Sequence, residues 1–334
     1  MPGQIVLAPM EGVIDAPMRR LLTGLGGYDR CVTEFIRVTD VLLPEKVFFR
    51  LCPELATGGT TENGVPVYTQ LLGSDPASLA LNARRAVALG AHGVDLNFGC
   101  PAKTVNNSHG GSILLRNPLQ VADIVRAVRD AVPAEIPVTA EIRLGYDNGD
   151  ALEEIVAGIR SAGATQLAIH ARTKFDGYKP PAFWSAVAPA MTTADDNTFI
   201  NGEIWSVEDS VEARCASGCR HIMLGRGALA VPDLARQIRA HQVNDSSATL
   251  AIAAWPQVSE YVEAQFLRSD CQSARHVGNR TKQWLAYLKR GYPEAADLFA
   301  RLRPLHDAPA ISRAFAEHRS WLGQSPDGQI SRVG

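Results

Sequence analysis

Eight short apolar segments recur along this chain with helical spacing between them, and that alternation constrains the fold more than any other feature. The segments run over 5–8, 31–35, 66–71, 93–97, 137–143, 166–170, 198–201 and 221–224. Between them the spacing predicts helices over 17–25, 76–89, 118–132, 151–162 and 207–217. Several open on proline or an N-cap residue, because a missing N–H costs nothing in the first turn. Asp75, Asn117 and the Asp147 to Asp150 run supply polar starts, and Gly90, Gly163 and Gly218 follow three helices where a left-handed residue turns the chain. No G-x-G-x-x-G follows the first segment, so the expected fold is α/β, a (β/α)8 TIM barrel and not an open Rossmann sheet.

The chain has 334 residues, 46% of them hydrophobic, enough for one large domain and a smaller one. The expected division is a barrel over 1–243 and an all-helical domain over 244–334, with a polar linker at 241–249. Helical spacing without a strand pattern runs over 250–264, 280–288, 293–302 and 311–322. A formal net charge of -2 excludes a global polycation, but charge is unevenly placed. Every charged residue from Arg275 to Arg290 is basic, namely Arg275, Arg280, Lys282, Lys289 and Arg290, with Trp284 and Tyr287 among them. That pattern suits either a solvated helix with Trp284 packed inward or a footprint for a phosphate backbone.

The six cysteines, Cys31, Cys52, Cys100, Cys215, Cys219 and Cys271, show no paired framework. The first residues lack a leader pattern, and no segment reaches transmembrane length without a charge or breaker. A reducing, cytoplasmic setting with no membrane association is therefore expected, and no obligate protein partner is inferred. Cys215, Cys219 and His221 lack the spacing of a closed zinc site, so no metal is expected.

The candidate chemistry centres on Asp95-Leu96-Asn97-Phe98-Gly99-Cys100-Pro101-Ala102-Lys103. An alternating apolar run stops at Gly-Cys-Pro, which puts Cys100 just past a strand, where a barrel keeps its reactive groups. Two readings stay open from the residues alone: a small buried hydrophobe, or a reactive thiol near the Asn97 amide and the Lys103 cation. Other strand ends carry Pro9, Met10, Gln70, Glu141, Arg143, His170 and Arg172. Asn201-Gly202-Glu203 and Gly225-Arg226-Gly227 end the seventh and eighth segments, and glycine turns there can aim backbone N–H groups at a phosphate. Taken singly, His170 suits a core histidine equally well, and Gln70 a cross-strand hydrogen bond.

These residues resemble those of the flavin-dependent tRNA-dihydrouridine synthase family. The resemblance rests on Leu7-Ala8-Pro9-Met10-Glu11-Gly12, Thr33-Glu34-Phe35, Gln70-Leu71-Leu72-Gly73, the Cys100 segment, Ile169-His170-Ala171-Arg172-Thr173, Asn201-Gly202-Glu203-Ile204 and Gly225-Arg226-Gly227. Glu34-Phe35-Ile36-Arg37-Val38, Cys52-Pro53-Glu54-Leu55 and Lys282-Gln283-Trp284-Leu285-Ala286-Tyr287-Leu288 are similar to the bacterial tRNA-dihydrouridine(16) synthase subgroup.

The resemblance implies bound FMN, NADPH as reductant and tRNA as substrate. It implies Ala8, Pro9 and Met10 against the flavin ring, Gln70 and Glu141 at its polar edge, and His170, Asn201, Gly202, Glu203, Gly225 and Arg226 toward its phosphate. It assigns proton donation at uracil C5 to Cys100, with hydride delivered to C6. Arg37, Asn97, Lys103, Arg143 and Lys179 match positions near the uracil or RNA phosphates, and Arg275, Arg280 and Lys282 belong to the RNA-holding tail. One residue departs from the family pattern: Glu141 stands where a lysine is usual, two residues before Arg143. A glutamate there leaves three outcomes open: a compensated enzyme, a weakened enzyme, or an RNA-binding barrel without redox activity. A free-pyrimidine flavin oxidoreductase is a further alternative, disfavoured by the basic tail.

Overall fold

The computed structural model describes residues 2–191, 197–243, 253–268, 270–272 and 276–324. Nine strands pair in parallel: β1 (Ile5–Leu7), β2 (Arg30–Val32), β3 (Ile36–Arg37), β4 (Val67–Leu72), β5 (Val94–Phe98), β6 (Val138–Arg143), β7 (Gln166–His170), β8 (Thr198–Asn201) and β9 (His221–Leu224). The order β2-β1-β9-β8-β7-β6-β5-β4-β3 closes through a β2–β4 pairing, so the sheet is a barrel with no open edge.

The expected eight staves are present, the second of them divided into two strands. Val32 pairs with Tyr68 and Ile36 with Leu71, so β2 and β3 are one stave carrying one residue more than its partner. The ladder breaks over Thr33 to Phe35, where the Thr33 hydroxyl accepts the Gln70 N–H at 3.0 Å. A local bulge of this kind carries no mark in a hydrophobic pattern. Inside the barrel Val6, Ala8, Val32, Ala168, Phe199 and Met223 pack as one buried cluster. They come from five different strands and lie on the inward face that strand alternation dictates.

The helices are α1 (Ala16–Gly24), α2 (Glu45–Leu51), α3 (Pro76–Ala88), α4 (Lys103–Asn106), α5 (Pro118–Ala131), α6 (Leu152–Ser161), α7 (Val207–Ser217), α8 (Arg226–Ala230), α9 (Leu234–Gln242), α10 (Trp255–Arg268), α11 (Asn279–Leu288), α12 (Pro293–Leu302) and α13 (Ala308–Gln324). Asp75 accepts from Ser78 N at 2.7 Å and Asn117 from Gln120 N at 3.2 Å, as N-caps should. Asp147 to Asp150 cap nothing, because α6 begins after Ala151 and the Asp147 carboxylate is bound by Arg116. The Gly218 turn adopts φ 74°, the left-handed conformation that a helix C-terminus favours.

The chain divides into two compact units, Met1–Gly225 and Arg226–Gly334. The first holds the barrel. In the second, α8 meets the tail helices at Trp284, which is buried and donates its indole N–H to Leu229 O at 3.1 Å. Asp270 accepts from both the N–H and the hydroxyl of Thr281, and Trp255 donates to His318 Nε2 at 2.8 Å. Arg275 and most of the expected 241–249 linker lie outside the described residues. Among the described residues no helix is long and apolar enough to cross a membrane.

Candidate active site at the barrel mouth

The C-terminal ends of the strands bring a polar network together on β4, β5 and β6. Gln70, fully buried on β4, donates its amide to Asp95 at 2.8 Å and to Glu141 at 2.9 Å, and accepts from Asn97 at 2.9 Å. The second Asp95 oxygen accepts from Thr139. An amide between two carboxylates can satisfy both, but it neutralises neither. Burial raises the Asp95 carboxyl above the usual carboxylate range. Burial, reinforced by the Asp95 charge, pushes Glu141 up to about 7, against the opposing pull of Gln70 and Arg143. Glu141 keeps partial exposure to the mouth although protein atoms crowd its carboxyl.

The same strands fix the Cys100 turn. Asn97, one residue beyond Leu96 on β5, accepts the N–H groups of Gly99 at 3.1 Å and Cys100 at 2.8 Å. Arg143, 2% exposed on β6, donates to Gly99 O at 2.7 Å. Asn106 Nδ2 and Ser112 N both donate to Cys100 O at 3.0 Å. Gly111 makes room for this close approach: at φ 65°, a Cβ there would come within 2.7 Å of Cys100 O. Cys100 itself is partly exposed. Burial raises its thiol pKa, with Glu141 and Glu11 adding and a backbone hydrogen bond at Ala102 and the Arg143 charge opposing. The group is a neutral thiol at physiological pH, the protonation state a general acid needs.

On the other side of the mouth, Ala8 N donates to Leu224 O at 2.9 Å, which sets the Ala8 to Met10 segment against Gly225. A Cβ on Gly225 would meet Met10 Sδ at 3.6 Å and Ala8 Cβ at 3.7 Å. Gly202 runs at φ 113°, and a Cβ there would reach 3.1 Å from the His170 ring. Arg172, fully buried, pairs with Glu203 at 2.8 Å and donates to Lys179 O at 2.7 Å. Glu203 takes φ 54°, unusual outside glycine, and its carboxylate also accepts the Trp205 indole at 3.0 Å. Asn201 is tied to Met223 O at 2.8 Å.

The remaining sequence-chosen residues are spread more widely. Arg37 on β3, Lys103 opening α4 and Lys179 after β7 are exposed. Arg226 opens α8 as the first residue of the second unit. In that unit Arg280 donates to Gln283 at 3.2 Å, and the half-buried Lys282 donates to Leu305 O. Sequence reasoning passed over Tyr178. Its ring lies 5.1 Å from the Arg143 guanidinium, which also donates to its hydroxyl, and 6.0 Å from the His170 ring. No local pattern marks Tyr178, a loop residue whose partners stand at the ends of β6 and β7. Among the described residues no group of three His, Cys, Asp or Glu side chains is arranged to hold a metal.

A sequence profile described as dihydrouridine synthase (Dus) matches residues 6–302. The chain is 48% identical to the tRNA-dihydrouridine(16) synthase of Shewanella oneidensis over 324 residues, covering 96% of this chain and all of that one. It is 49% identical to the protein of the same name from Pseudomonas putida over 311 residues, covering 93% and 95% of the two chains. The Escherichia coli protein of that name is 44% identical over 315 residues, with 93% and 97% covered. A barrel whose strand ends converge on a Cys-Pro turn, matched by this profile along most of its length, makes the chain a member of the dihydrouridine synthase family.

Proposed function

We propose that this chain reduces a uridine in the D-loop of tRNA, at position 16, to 5,6-dihydrouridine, with bound FMN and NADPH as reductant. The observation that carries the reading is the Cys100 turn, pinned by Asn97 and Arg143 with its thiol protonated and partly open at the mouth. Full-length similarity to proteins named tRNA-dihydrouridine(16) synthase supports the substrate class and position.

The residues at the mouth fit a flat flavin ring. The Ala8 to Met10 segment and Gly225 offer an apolar surface of small reach, Gln70 supports the polar edge from beneath by holding Glu141, and the close backbone approach at Gly202 beside His170 suits an anionic tail. Arg226 carries charge next to Gly225 in the chain. Glu141 fits in its acid form, where it donates a hydrogen bond in place of the family's lysine. When bound, the NADPH-reduced flavin is the hydride source for the uracil ring.

The chain's own residues do the rest. A hydride at C6 of a uracil moves charge toward C5, and the Cys100 thiol supplies the proton that quenches it. Arg143 holds the turn that aims that thiol, and the exposed Tyr178 beside it presents its ring at the mouth. Asn97 fixes the turn from the other side. Arg37, Lys103 and Lys179 supply exposed charge for RNA phosphates, and Arg280 extends that role to the helical unit, where Lys282 is held by Leu305 O. The target nucleotide must leave its stack to reach Cys100, which a barrel mouth with peripheral cations accommodates.

Dihydrouridine mapping in tRNA from a strain lacking the position-16 activity tests this reading. Complementation with this chain restores the modification at that position. Failure to restore it, with soluble flavin-loaded protein present, rejects the assignment.

A further inference from the structure

Three loops leaving β5, β6 and β7 meet in an exposed cluster that the chemistry at Cys100 does not use. Tyr146, after β6, and Phe175, after β7, pack edge to face with ring centroids 5.7 Å apart. Phe175 is 64% exposed, so much of an apolar ring stays open to solvent. The Lys174 ammonium lies 5.0 Å from the Tyr146 ring and 4.5 Å from the Phe175 ring. The Arg116 guanidinium lies 4.1 Å over Tyr146, and Asp147 holds it through two hydrogen bonds of 2.8 Å.

Hydrogen bonds tie the loops of the cluster to one another and to the active site. Thr173 donates through its N–H and hydroxyl to Asp176, both at 2.7 Å, and Lys174 N donates to Gly145 O at 3.1 Å, joining two of the loops. Arg143, whose Nε holds Gly99 O beside Cys100, donates from NH1 to Thr173 O at 2.9 Å and to Gly177 O at 2.8 Å. One buried side chain therefore fixes both the thiol turn and the aromatic loop. Further along the same loop Tyr178 and Phe183 are also exposed.

We propose that Phe175 and Tyr146, flanked by Lys174 and Arg116, form a stacking station for an unpaired nucleobase of the RNA, a neighbour of the nucleotide that enters the mouth. This rests on the reading that the substrate is tRNA. An exposed aromatic face such as that of Phe175 accepts the π-face of any base, and the cations that lie over these rings, Lys174 and Arg116, suit the phosphates on either side. A protein partner would be expected to bury a larger continuous apolar surface, whereas here each ring has a cation over its face. The station gives the displaced loop a second point of attachment and so fixes which uridine faces Cys100.

The test uses full-length flavin-loaded protein and a tRNA transcript with 2-aminopurine placed in the D-loop. Stacking on Phe175 quenches the probe. Phe175→Ala should lose the quench and raise KM for tRNA about tenfold, with kcat changed less than about twofold. Phe175→Trp should keep the quench and hold KM near or below that of the parent protein. Equal loss in the alanine and tryptophan variants, or an unchanged KM in Phe175→Ala, overturns the proposal. A change in self-association with unchanged tRNA affinity would assign the patch to protein contact and overturn it as well. The two readings fail separately: Phe175-dependent quenching without uridine reduction removes the enzyme assignment and keeps the station, while reduction indifferent to Phe175 does the reverse.

Discussion

The barrel mouth and the helical unit hold their charge in opposite ways. At the mouth, Asp95 and Glu141 share one amide, and Arg143 donates to the backbone carbonyls of Gly99, Thr173 and Gly177. Burial, reinforced by the Asp95 charge, holds Glu141 poised near neutrality against the pull of Gln70 and Arg143, and burial keeps the thiol of Cys100 protonated. In the helical unit the cations are drawn into their own fold. Lys282 caps Leu305 O beyond α12, Lys289 sits 4.6 Å over the Phe299 ring, and Arg319 pairs with Glu263. A run of basic residues in sequence thus differs from a basic surface, whereas a lone glutamate on a strand can be the most responsive group in a site.

The largest effect that would sharpen this contrast is at Cys100. Cys100→Ala should keep FMN and NADPH oxidation yet lose about 10²- to 10⁴-fold in single-turnover uridine reduction, the range expected for removing a general acid. Unchanged reduction by rapid mixing would move the proton donor elsewhere.

Glu141 comes next. Its folded carboxyl titrates near 7, above the ordinary value of 4.5, so the folded state holds its proton more tightly than the unfolded chain does. The stabilisation is complete below the unfolded pKa and disappears as pH rises through about 7. Chemical denaturation should show stability falling by roughly 1–3 kcal/mol between these limits, and falling less in Glu141→Gln. FMN affinity, followed by flavin fluorescence, should weaken over the same window in the parent protein and stay level in Glu141→Gln, which keeps a neutral donor. A flat profile in the parent would mean that Glu141 does not touch the flavin.

The smallest effects divide two tail cations that look alike in sequence. Lys282→Met should lower the melting temperature by a few degrees, because loss of one carbonyl cap costs about 1 kcal/mol. Arg280→Ala should leave melting unchanged and weaken tRNA binding, with a salt slope shallower by somewhat less than about one unit. Equal melting and equal salt slopes in the two variants would erase the distinction.

What the sequence showed follows from how local each signal is. Seven of the eight expected strands sit within about one residue of their observed bounds, because a short apolar run between breakers needs no partner to be read. The split of β2 from β3 escaped because a bulge depends on the register of β4. α2 was missed for lack of a side-chain cap, and Asp147 was misread as a helix start because its true partner, Arg116, is 31 residues away. At the site, Cys100, Gln70, Asn97 and Glu141 were legible as strand-end residues. Their shared network was not, since it is assembled across three strands. Tyr178 and the Phe175 cluster depend wholly on loops that the barrel brings together.

The most direct test of the central claim is mass mapping of an unmodified tRNA transcript incubated with flavin-loaded protein and NADPH. The account predicts a gain of two hydrogens on a single D-loop uridine, at position 16, formed by the parent protein and nearly absent with Cys100→Ala. No mass gain from protein that oxidises NADPH and binds the transcript, or an equal gain in the cysteine variant, would contradict it.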